Sequence, residues 1–418
     1  MTVNSHSTDS EVTSALEGTR ASWRADSVAI GLLVFLVVLL VLPFVIRCTH
    51  GDTTPLCSDY VVHLRSARLL LRGEGIEVYF LYHLVIALFA AIPLVDFDTL
   101  ATAGTTAFFV LLSVVLYGLV RNVLGHRGSP RMSVAAALLA FSLMIVSHVM
   151  VFSWRPGELY MGYIGINVYH NPTIVALKPF ALLLFVYASA VFSSQSGYHG
   201  RRSLAAASAL MLATNLAKPS YTICLLPALS LLAACRLVRG GYVDWRLLLG
   251  GIVLPSFITL SWQYYFTYVT EPSSIIFAPL AVMKSWGVQS LLPKFLLSAL
   301  FPLVAVLSFP GLVTSCNALR LSWLSFGFGI AYTYLLAESG PRLPDGNFGW
   351  SGEITLFVLF VESTLCILRE AQSLPRSAWC SWTIRGRFSL CGLAFGLHVV
   401  SGVLWYAVHV GLLCAPIW

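Results

Sequence analysis

The chain consists of long apolar segments that are separated by short polar links. A helix needs about 20 mainly apolar residues to cross the hydrocarbon layer of a membrane, because that layer is about 30 Å thick and each residue adds about 1.5 Å. Segments near this length lie at residues 28–46, 78–95, 100–120, 133–152, 173–192, 204–216, 220–234, 247–267, 295–309, 321–336, 354–368 and 390–413. The pattern predicts an all-α fold, a polytopic transmembrane helical bundle of roughly ten to twelve spans.

Composition supports the same fold class. Of the 418 residues, 58% are hydrophobic and only 10% are charged, whereas an ordinary soluble domain is about 45–50% apolar and about 25% charged. A water-soluble fold is therefore excluded. The polar residues 1–26 predict a disordered N-terminal tail, and residues 27–418 then form a single transmembrane domain. The formal net charge of +7 reflects basic cytoplasmic loops and does not indicate nucleic-acid binding.

Basic residues concentrate in some of the links and are scarce in others. The positive-inside rule places the basic links at the cytoplasmic face, and these are residues 121–131, 201–202, 236–246 and 369–387. The links left for the outer face are rich in polar and aromatic groups, and these are residues 153–172, 217–219, 268–293 and 337–353. We expect the functional residues in these outer links. The link 48–77 has similar chemistry but also carries arginines, so its side stays open.

The link 48–77 predicts a short surface helix with Ser58 as its N-cap and Gly73 as its C-terminal stop. Asp59 and His63 are four residues apart and therefore share one face of this helix. A carboxylate and an imidazole on one face are candidates for catalysis and for substrate binding. The structural alternative is that Asp59 only complements the helix dipole.

A second candidate site lies directly before an apolar helix. His170 and Asn171 precede Pro172, which suits the first helical position, so Asn171 is expected to cap the helix. An open helix N-terminus binds anions. Lys178 follows inside the helix, and an intramembrane lysine costs at least about 2.5 kcal/mol, which makes a functional partner the first hypothesis and snorkelling the alternative.

A break in a long apolar stretch gives a third candidate. Lys218 stands beside Pro219 within about 30 otherwise apolar residues, which is long for one span and short for two. A Lys-Pro break there places an ammonium group where two short helices meet, and this arrangement suits a phosphate. A plain hairpin with a solvated lysine explains the same residues.

The link 337–353 concentrates several kinds of functional group. Glu338, Arg342, Asn347 and Trp350 bring a carboxylate, a guanidinium, an amide and an indole together. Sugar rings require apolar stacking and directional hydrogen bonds, which these groups supply. A structural turn accounts for the glycines and prolines of the link, but not for this concentration of functional groups.

The cysteines and one acidic pair give weaker indications. The nine cysteines contain no CxxC pair and no histidine partner at ligand spacing, so the sequence predicts no zinc site. Cys48 and Cys57 share one link and would bridge only if that link faced an oxidising compartment. The run from Asp96 to Asp98 has the spacing of a metal-binding DxD pair, but we interpret it as a turn because no further ligands accompany it.

In these features the chain resembles the GT-C superfamily of integral-membrane glycosyltransferases. The likeness rests on Asp59 at the head of a surface helix after the first span, on about a dozen spans with polar outer loops, and on lysines before prolines. It covers the whole chain in layout through short motifs, although a large C-terminal soluble domain, which several members have, is missing.

The resemblance implies an inverting hexosyl- or pentosyltransferase in the bacterial inner membrane. Its partners would be a polyprenyl-phosphate sugar donor, a glycan or glycolipid acceptor and membrane lipids, and no nucleic acid. Asp59 would be the catalytic base, with Glu158 and Glu338 in reserve. The substrate-binding candidates are His63, His170, Asn171, Lys178, Lys218, Arg342, Asn347 and Trp350, of which Lys178, Lys218 or Arg342 would hold the lipid phosphate. No cofactor is fixed, and a divalent cation stays open.

Other functions fit part of the pattern. A secondary transporter of an anionic or lipid-linked solute also has broken helices and interior charges. Against it, the polar residues gather at one face and no internal repeat relates the two halves of the chain. A polysaccharide repeat-unit polymerase would use similar lipid-linked substrates. A purely structural scaffold would leave the interior lysines unexplained.

Overall fold

The computed structural model describes residues 6–52, 57–92, 95–125, 129–150, 160–167, 169–194, 200–270 and 273–409, with side chains described from Trp23 onward. Its helices are α1 (His6–Thr49), α2 (Ser58–Leu71), α3 (Leu81–Ala90), α4 (Phe97–Leu124), α5 (Pro130–Ile145), α6 (Pro172–Ala190), α7 (Arg201–Ala217), α8 (Thr222–Val238), α9 (Leu254–Tyr264), α10 (Ala281–Ser285), α11 (Leu291–Ser298), α12 (Leu300–Ser308), α13 (Gly311–Ser315), α14 (Asn317–Leu335), α15 (Gly349–Ser373) and α16 (Trp382–His409). Wider π-helical turns at Arg246–Val253 and Tyr265–Val269 flank α9, and 3₁₀ turns lie at Gly340–Asp345 and Arg376–Cys380. In this part of the chain the strands are β1 (Ile275–Phe277) and β2 (Leu336–Glu338).

The predicted all-α class is confirmed, and the chain is a multi-pass membrane protein. Among the described residues, six helical stretches are long and apolar enough to cross a membrane, namely Trp23–Thr49, Phe97–Leu124, Pro172–Ala190, Arg246–Val269, Gly340–Ser373 and Trp382–Val408. The pair α11 and α12, bent by 66°, adds a seventh if it is one broken span. This number is below the roughly ten to twelve predicted, because α5 and α8 have 16 and 17 residues and a full span needs about 20.

The first helix begins earlier than its apolar residues require. Helix α1 starts at His6 and runs to Thr49, so it includes most of the segment for which the sequence predicted a disordered tail. Residues 6–22 contain no proline, so no residue in them lacks the backbone N–H that a helix needs. The stretch that can span a membrane begins at Trp23.

Helices α1 and α4 run antiparallel, so the link between them begins and ends at the same face. Thr49 at the end of α1 lies 2.6 Å, oxygen to oxygen, from Thr102 near the start of α4. At the other end of the pair, Arg121 Nε donates to Asp26 Oδ1 at 2.9 Å. The chain between the two helices therefore leaves and returns at one face. The predicted span at residues 78–95 is wrong, because α3 has only 10 residues there.

A disulfide identifies that face as the outer one. Cys48 and Cys57 are bonded to each other across a separation of 9 residues. Disulfides form and persist in oxidising compartments, so the link 48–77 faces outward. The arginines of this link had favoured the cytoplasm, but one of them, Arg68, pairs with Asp98 and lies over the Phe97 ring at 4.2 Å.

Two outer links are joined by a sheet that the sequence did not predict. Strands β1 and β2 pair antiparallel, with Ile275 opposite Glu338 and Phe277 opposite Leu336. The Trp286 indole also donates to the Pro344 carbonyl at 2.8 Å. Three residues are too few for an alternating pattern to be recognised in a sequence. The sheet holds the links 268–293 and 337–353 beside each other.

Helix α15 is the most deeply buried helix in the described bundle, and it extends from the outer site toward the opposite face. Its residues 351–366 are all buried. It packs closely against α14, where a side chain added at Gly329 would collide with the Ser351 backbone and with Thr355. Small residues at such crossings let two helix backbones approach closely in a membrane.

Candidate functional site

Two neighbouring cavities open among the outer links. The first has a volume of about 250 Å³ and is lined by Asp59, Tyr160, His170, Trp350 and Glu353 among others. The second has about 400 Å³, is mainly apolar and aromatic, and is lined by residues that include Tyr79, Lys218, Tyr264, Glu338, Arg342 and Asn347. The acid-bearing helix α2 and the late link 337–353 thus share one chamber at the outer face.

Asp59 lies in the first turn of α2, and a hydrogen bond holds one of its two carboxylate oxygens. The Asn171 amide donates to Asp59 Oδ2 at 2.7 Å. The helix stops at Leu71 before Gly73, whose φ of +70° confirms the predicted stop, whereas the N-cap is Cys57 and not Ser58. Burial raises the pKa of the Asp59 carboxyl, while Lys218 and the Asn171 amide oppose that rise. The Asp59 carboxyl is therefore more basic than an aspartate in water.

Asn171 caps α6, as its sequence predicts, and connects that helix to Asp59. Its Oδ1 accepts from the backbone N–H groups of Thr173 and Ile174, each at 3.1 Å, and Pro172 follows at the first helical position. These bonds use N–H groups that an anion would otherwise bind. The helix end is therefore closed by its own cap, and the anion site that the sequence predicted there is not open.

Lys218 stands at the break between α7 and α8 and is buried, so the solvated hairpin that was its alternative is not observed. Its Nζ donates to Thr173 Oγ1 at 3.3 Å. The rings of Tyr79 and Trp350 flank the ammonium group, with centroids 5.2 and 5.0 Å away. Burial lowers the pKa of Lys218 to about 8, and the charge of Asp59 opposes that effect. Lys218 thus places a cation beside both Asp59 and the second cavity.

Glu338 is an anchor within the second cavity. Its oxygens accept from the Tyr268 hydroxyl at 2.7 Å, the Asn347 amide at 2.5 Å and the Arg342 guanidinium at 3.0 Å. Three donors occupy most of the acceptor positions of a carboxylate. Glu338 therefore holds Arg342 and Asn347 against the cavity, and its role as a reserve base stays a prediction.

His170 and Trp350 meet at the wall of the first cavity, with ring centroids 5.5 Å apart. The His170 Nε2 lies 3.5 Å from the Tyr160 hydroxyl. Burial lowers the pKa of His170 to about 3, and Lys218 adds to the effect. The imidazole is therefore neutral near pH 7 and serves as a hydrogen-bonding group.

Two predicted residues, Lys178 and His63, do not line the cavities. The Lys178 ammonium donates to the Ile166 carbonyl at 3.0 Å and to Asn167 Oδ1 at 2.7 Å, and it lines neither cavity. It holds the outer link against α6 instead of a phosphate. His63 also lines neither cavity. Its Nδ1 lies 3.0 Å from His83 Nε2, so the two imidazoles contact each other. Glu158 lies outside the described residues.

The structure adds residues that sequence reasoning missed. Glu353 lines the first cavity, and its Oε1 accepts from the Tyr160 hydroxyl at 3.4 Å. An acid one turn after Trp350 on an apolar helix was a usable signal, because intramembrane acids are rare and usually functional. Tyr79 beside Lys218 carried no comparable signal.

Groups able to bind a metal are sparse at this chamber. In the part of the chain described above, the one group of three or more His, Cys, Asp or Glu ligand atoms is Cys316, Glu362 and Cys366, and none of these lines either cavity. The pair Asp96 and Asp98 is structural, as predicted. Asp96 caps α4 by accepting from the Thr99 N–H at 2.9 Å, and Asp98 pairs with Arg68.

The chain matches no known protein-family profile, and comparison with curated proteins finds no match either. Function is therefore inferred from the chemistry of the site itself.

Proposed function

We propose that the protein is a membrane glycosyltransferase of the GT-C type. It would move a hexosyl or pentosyl group from a polyprenyl-phosphate donor to a glycan or glycolipid acceptor. The observation that best supports this proposal is the position of Asp59 and Lys218 where a smaller cavity with a larger polar share adjoins a larger, mainly apolar one. A base and a cation at such a boundary are what a transfer from a lipid phosphate needs.

The second cavity suits the donor. Lys218 and Arg342 supply cations for a phosphate. Apolar and aromatic side chains line the remainder, including Leu260 and Tyr264 of α9. Tyr264 is 54% exposed, so this wall reaches the surface of the bundle, where a prenyl chain can continue into lipid.

The first cavity suits the acceptor. Trp350 offers an aromatic face for a sugar ring, while His170 and Tyr160 offer directional hydrogen bonds. An acceptor hydroxyl placed here would face the Asp59 oxygen that Asn171 does not hold. The Asn171 bond fixes the carboxylate, which reduces the cost of orienting it during the reaction.

The reaction is a single displacement. The acceptor oxygen attacks the anomeric carbon, and the bond from that carbon to the phosphate oxygen breaks. The electron pair leaves on the phosphate, where Lys218 and Arg342 stabilise the charge, and Asp59 accepts the hydroxyl proton. One displacement inverts the anomeric configuration. The outer face of a bacterial inner membrane is the proposed site of action.

Purified protein in lipid nanodiscs provides the test. Radiolabelled polyprenyl-phosphate hexoses and pentoses are supplied with a membrane glycolipid extract, with and without EDTA. We expect acceptor-dependent release of polyprenyl phosphate and a product of inverted configuration, and the EDTA arm reports whether a divalent cation takes part. Absence of transfer for every donor, together with uptake of a labelled anion by vesicles that lack prenyl lipid, would refute the proposal in favour of a transporter.

A further inference from the structure

A second group of reactive side chains lies at the opposite end of α15 from the chamber. Glu362 and Cys366 are one helical turn apart on α15 and face Cys316, which directly precedes the first turn of α14. From Glu353 to Cys366 the helix advances about 20 Å, at about 1.5 Å per residue. The proposed glycosyl transfer makes no use of this group.

The three ligand atoms have the spacing of a metal centre. The Sγ atoms of Cys316 and Cys366 are 3.6 Å apart, and Glu362 Oε1 lies 3.3 Å from Cys366 Sγ and 3.9 Å from Cys316 Sγ. A tetrahedral zinc ion with bonds of about 2.3 Å to sulfur and about 2.0–2.2 Å to oxygen requires about 3.8 Å between sulfurs and about 3.5 Å between sulfur and oxygen. A zinc ion therefore fits after shifts of a few tenths of an ångström.

The charges around the group also match a zinc ion. Two thiolates and one carboxylate carry three negative charges, which is costly for the buried Glu362 and Cys366. The Arg369 guanidinium donates to Glu362 Oε1 at 2.9 Å and lies 3.8 Å from Cys366 Sγ. One divalent ion and this guanidinium together carry three positive charges, so the net charge of the group becomes zero. Such an outer partner is typical of metal-binding carboxylates, whose free lone pairs can still bind the ion.

The compartment favours a metal over a disulfide. Arg369 belongs to a basic link that the positive-inside rule places in the cytoplasm, opposite the face that carries the Cys48–Cys57 bridge. Thiols are kept reduced there, and grouped cysteines in such a compartment more often bind metal or act in redox chemistry.

We propose that Cys316, Glu362 and Cys366 bind one zinc ion, with water in the fourth position, and that the ion ties the start of α14 to the inner half of α15. Both helices carry parts of the outer chamber at their other ends, since α14 leads into β2 and α15 begins at Gly349 beside Trp350. The ion would crosslink two packed helices, and its binding free energy would add to the stability of the folded protein.

Metal analysis of the full-length protein, purified in detergent without added metal or chelator, tests the site. We expect about one zinc ion per chain to survive dialysis, as for a tightly held structural site. Cys316→Ser, Cys366→Ser and Glu362→Gln should each lose most of it. Cys391→Ser is the matched control, because Cys391 is also a buried thiol but lies outside the group, and it should keep its zinc.

A spectroscopic measurement on the unaltered protein guards against variants that fail to fold. Stripping with a chelator and reloading with Co²⁺ should produce a thiolate-to-cobalt charge-transfer band, and the apparent Tm should fall on stripping and recover with Zn²⁺. The proposal is overturned if the purified chain carries no stoichiometric metal and shows no such band. It is equally overturned if thiols alkylated in intact cells show Cys316 and Cys366 already joined as a disulfide.

Discussion

Substitution of Asp59 by Asn is the sharpest test of the proposed chemistry. The change keeps the shape of the side chain and an oxygen that can accept the Asn171 amide bond of 2.7 Å, so α2 and α6 should stay in place. It removes the group that would accept the proton. It also removes a negative charge that raises the pKa of Lys218, so the lysine of the variant should lose its proton at a lower pH than in the unaltered protein.

The expected fall in kcat follows from the proposed role of Asp59 as a general base. General-base catalysis contributes about 10²–10⁴-fold, which is about 3 to 5 kcal/mol of transition-state stabilisation. We therefore expect kcat of Asp59→Asn to fall by that factor, while KM for the donor does not rise at a pH low enough to keep Lys218 protonated in both proteins. The measurement is the initial rate of label transfer from polyprenyl-phosphate sugar in nanodiscs, over a range of donor concentrations.

Two further variants serve as controls for Asp59→Asn. Asp345→Asn removes a negative charge from the rim of the same cavity, where the side chain is 53% exposed, and should keep most of the activity. Glu353→Gln removes the other acid of the first cavity. If Asp59→Asn retains kcat within about threefold of the unaltered protein, or if Glu353→Gln alone abolishes transfer, Asp59 is not the base.

Other substitutions test the remaining parts of the site. Because the pKa of Lys218 is about 8 and its charge is lost as pH rises through that value, donor KM should increase above about pH 8, and Lys218→Arg should remove this increase; an unchanged profile would contradict the phosphate role. Glu338→Gln should raise donor KM more than it lowers kcat, because Glu338 anchors Arg342; a selective loss of kcat would instead make it a base. Cys57→Ser opens a short disulfide loop and should reduce stability by about 2–3 kcal/mol, seen as a lower apparent Tm, whereas Cys235→Ser, at an exposed free thiol, should not.

Several elements were predictable because their causes are local. A proline at the first helical position and an amide before it determine the start of α6, and they did so in the structure. A Lys-Pro break separates α7 from α8 for the same kind of reason. In contrast, the sequence could not show that the Lys178 ammonium donates to Asn167 and to a backbone carbonyl, since that depends on how residues 166–167 pack against α6.

By itself the sequence determined that this is a helical membrane protein with its chemistry concentrated in a few polar links, because lipid tolerates only apolar surface with every backbone group hydrogen-bonded. The tertiary structure alone decided which links meet. The short α3, the Cys48–Cys57 bridge and the β1–β2 pairing bring Asp59, Lys218 and Arg342 to one chamber, and the approach of α14 to α15 brings Cys316 within 3.6 Å of Cys366 from 50 residues away. Contacts between residues far apart in sequence depend on the packing of whole helices, which no local pattern of side chains encodes.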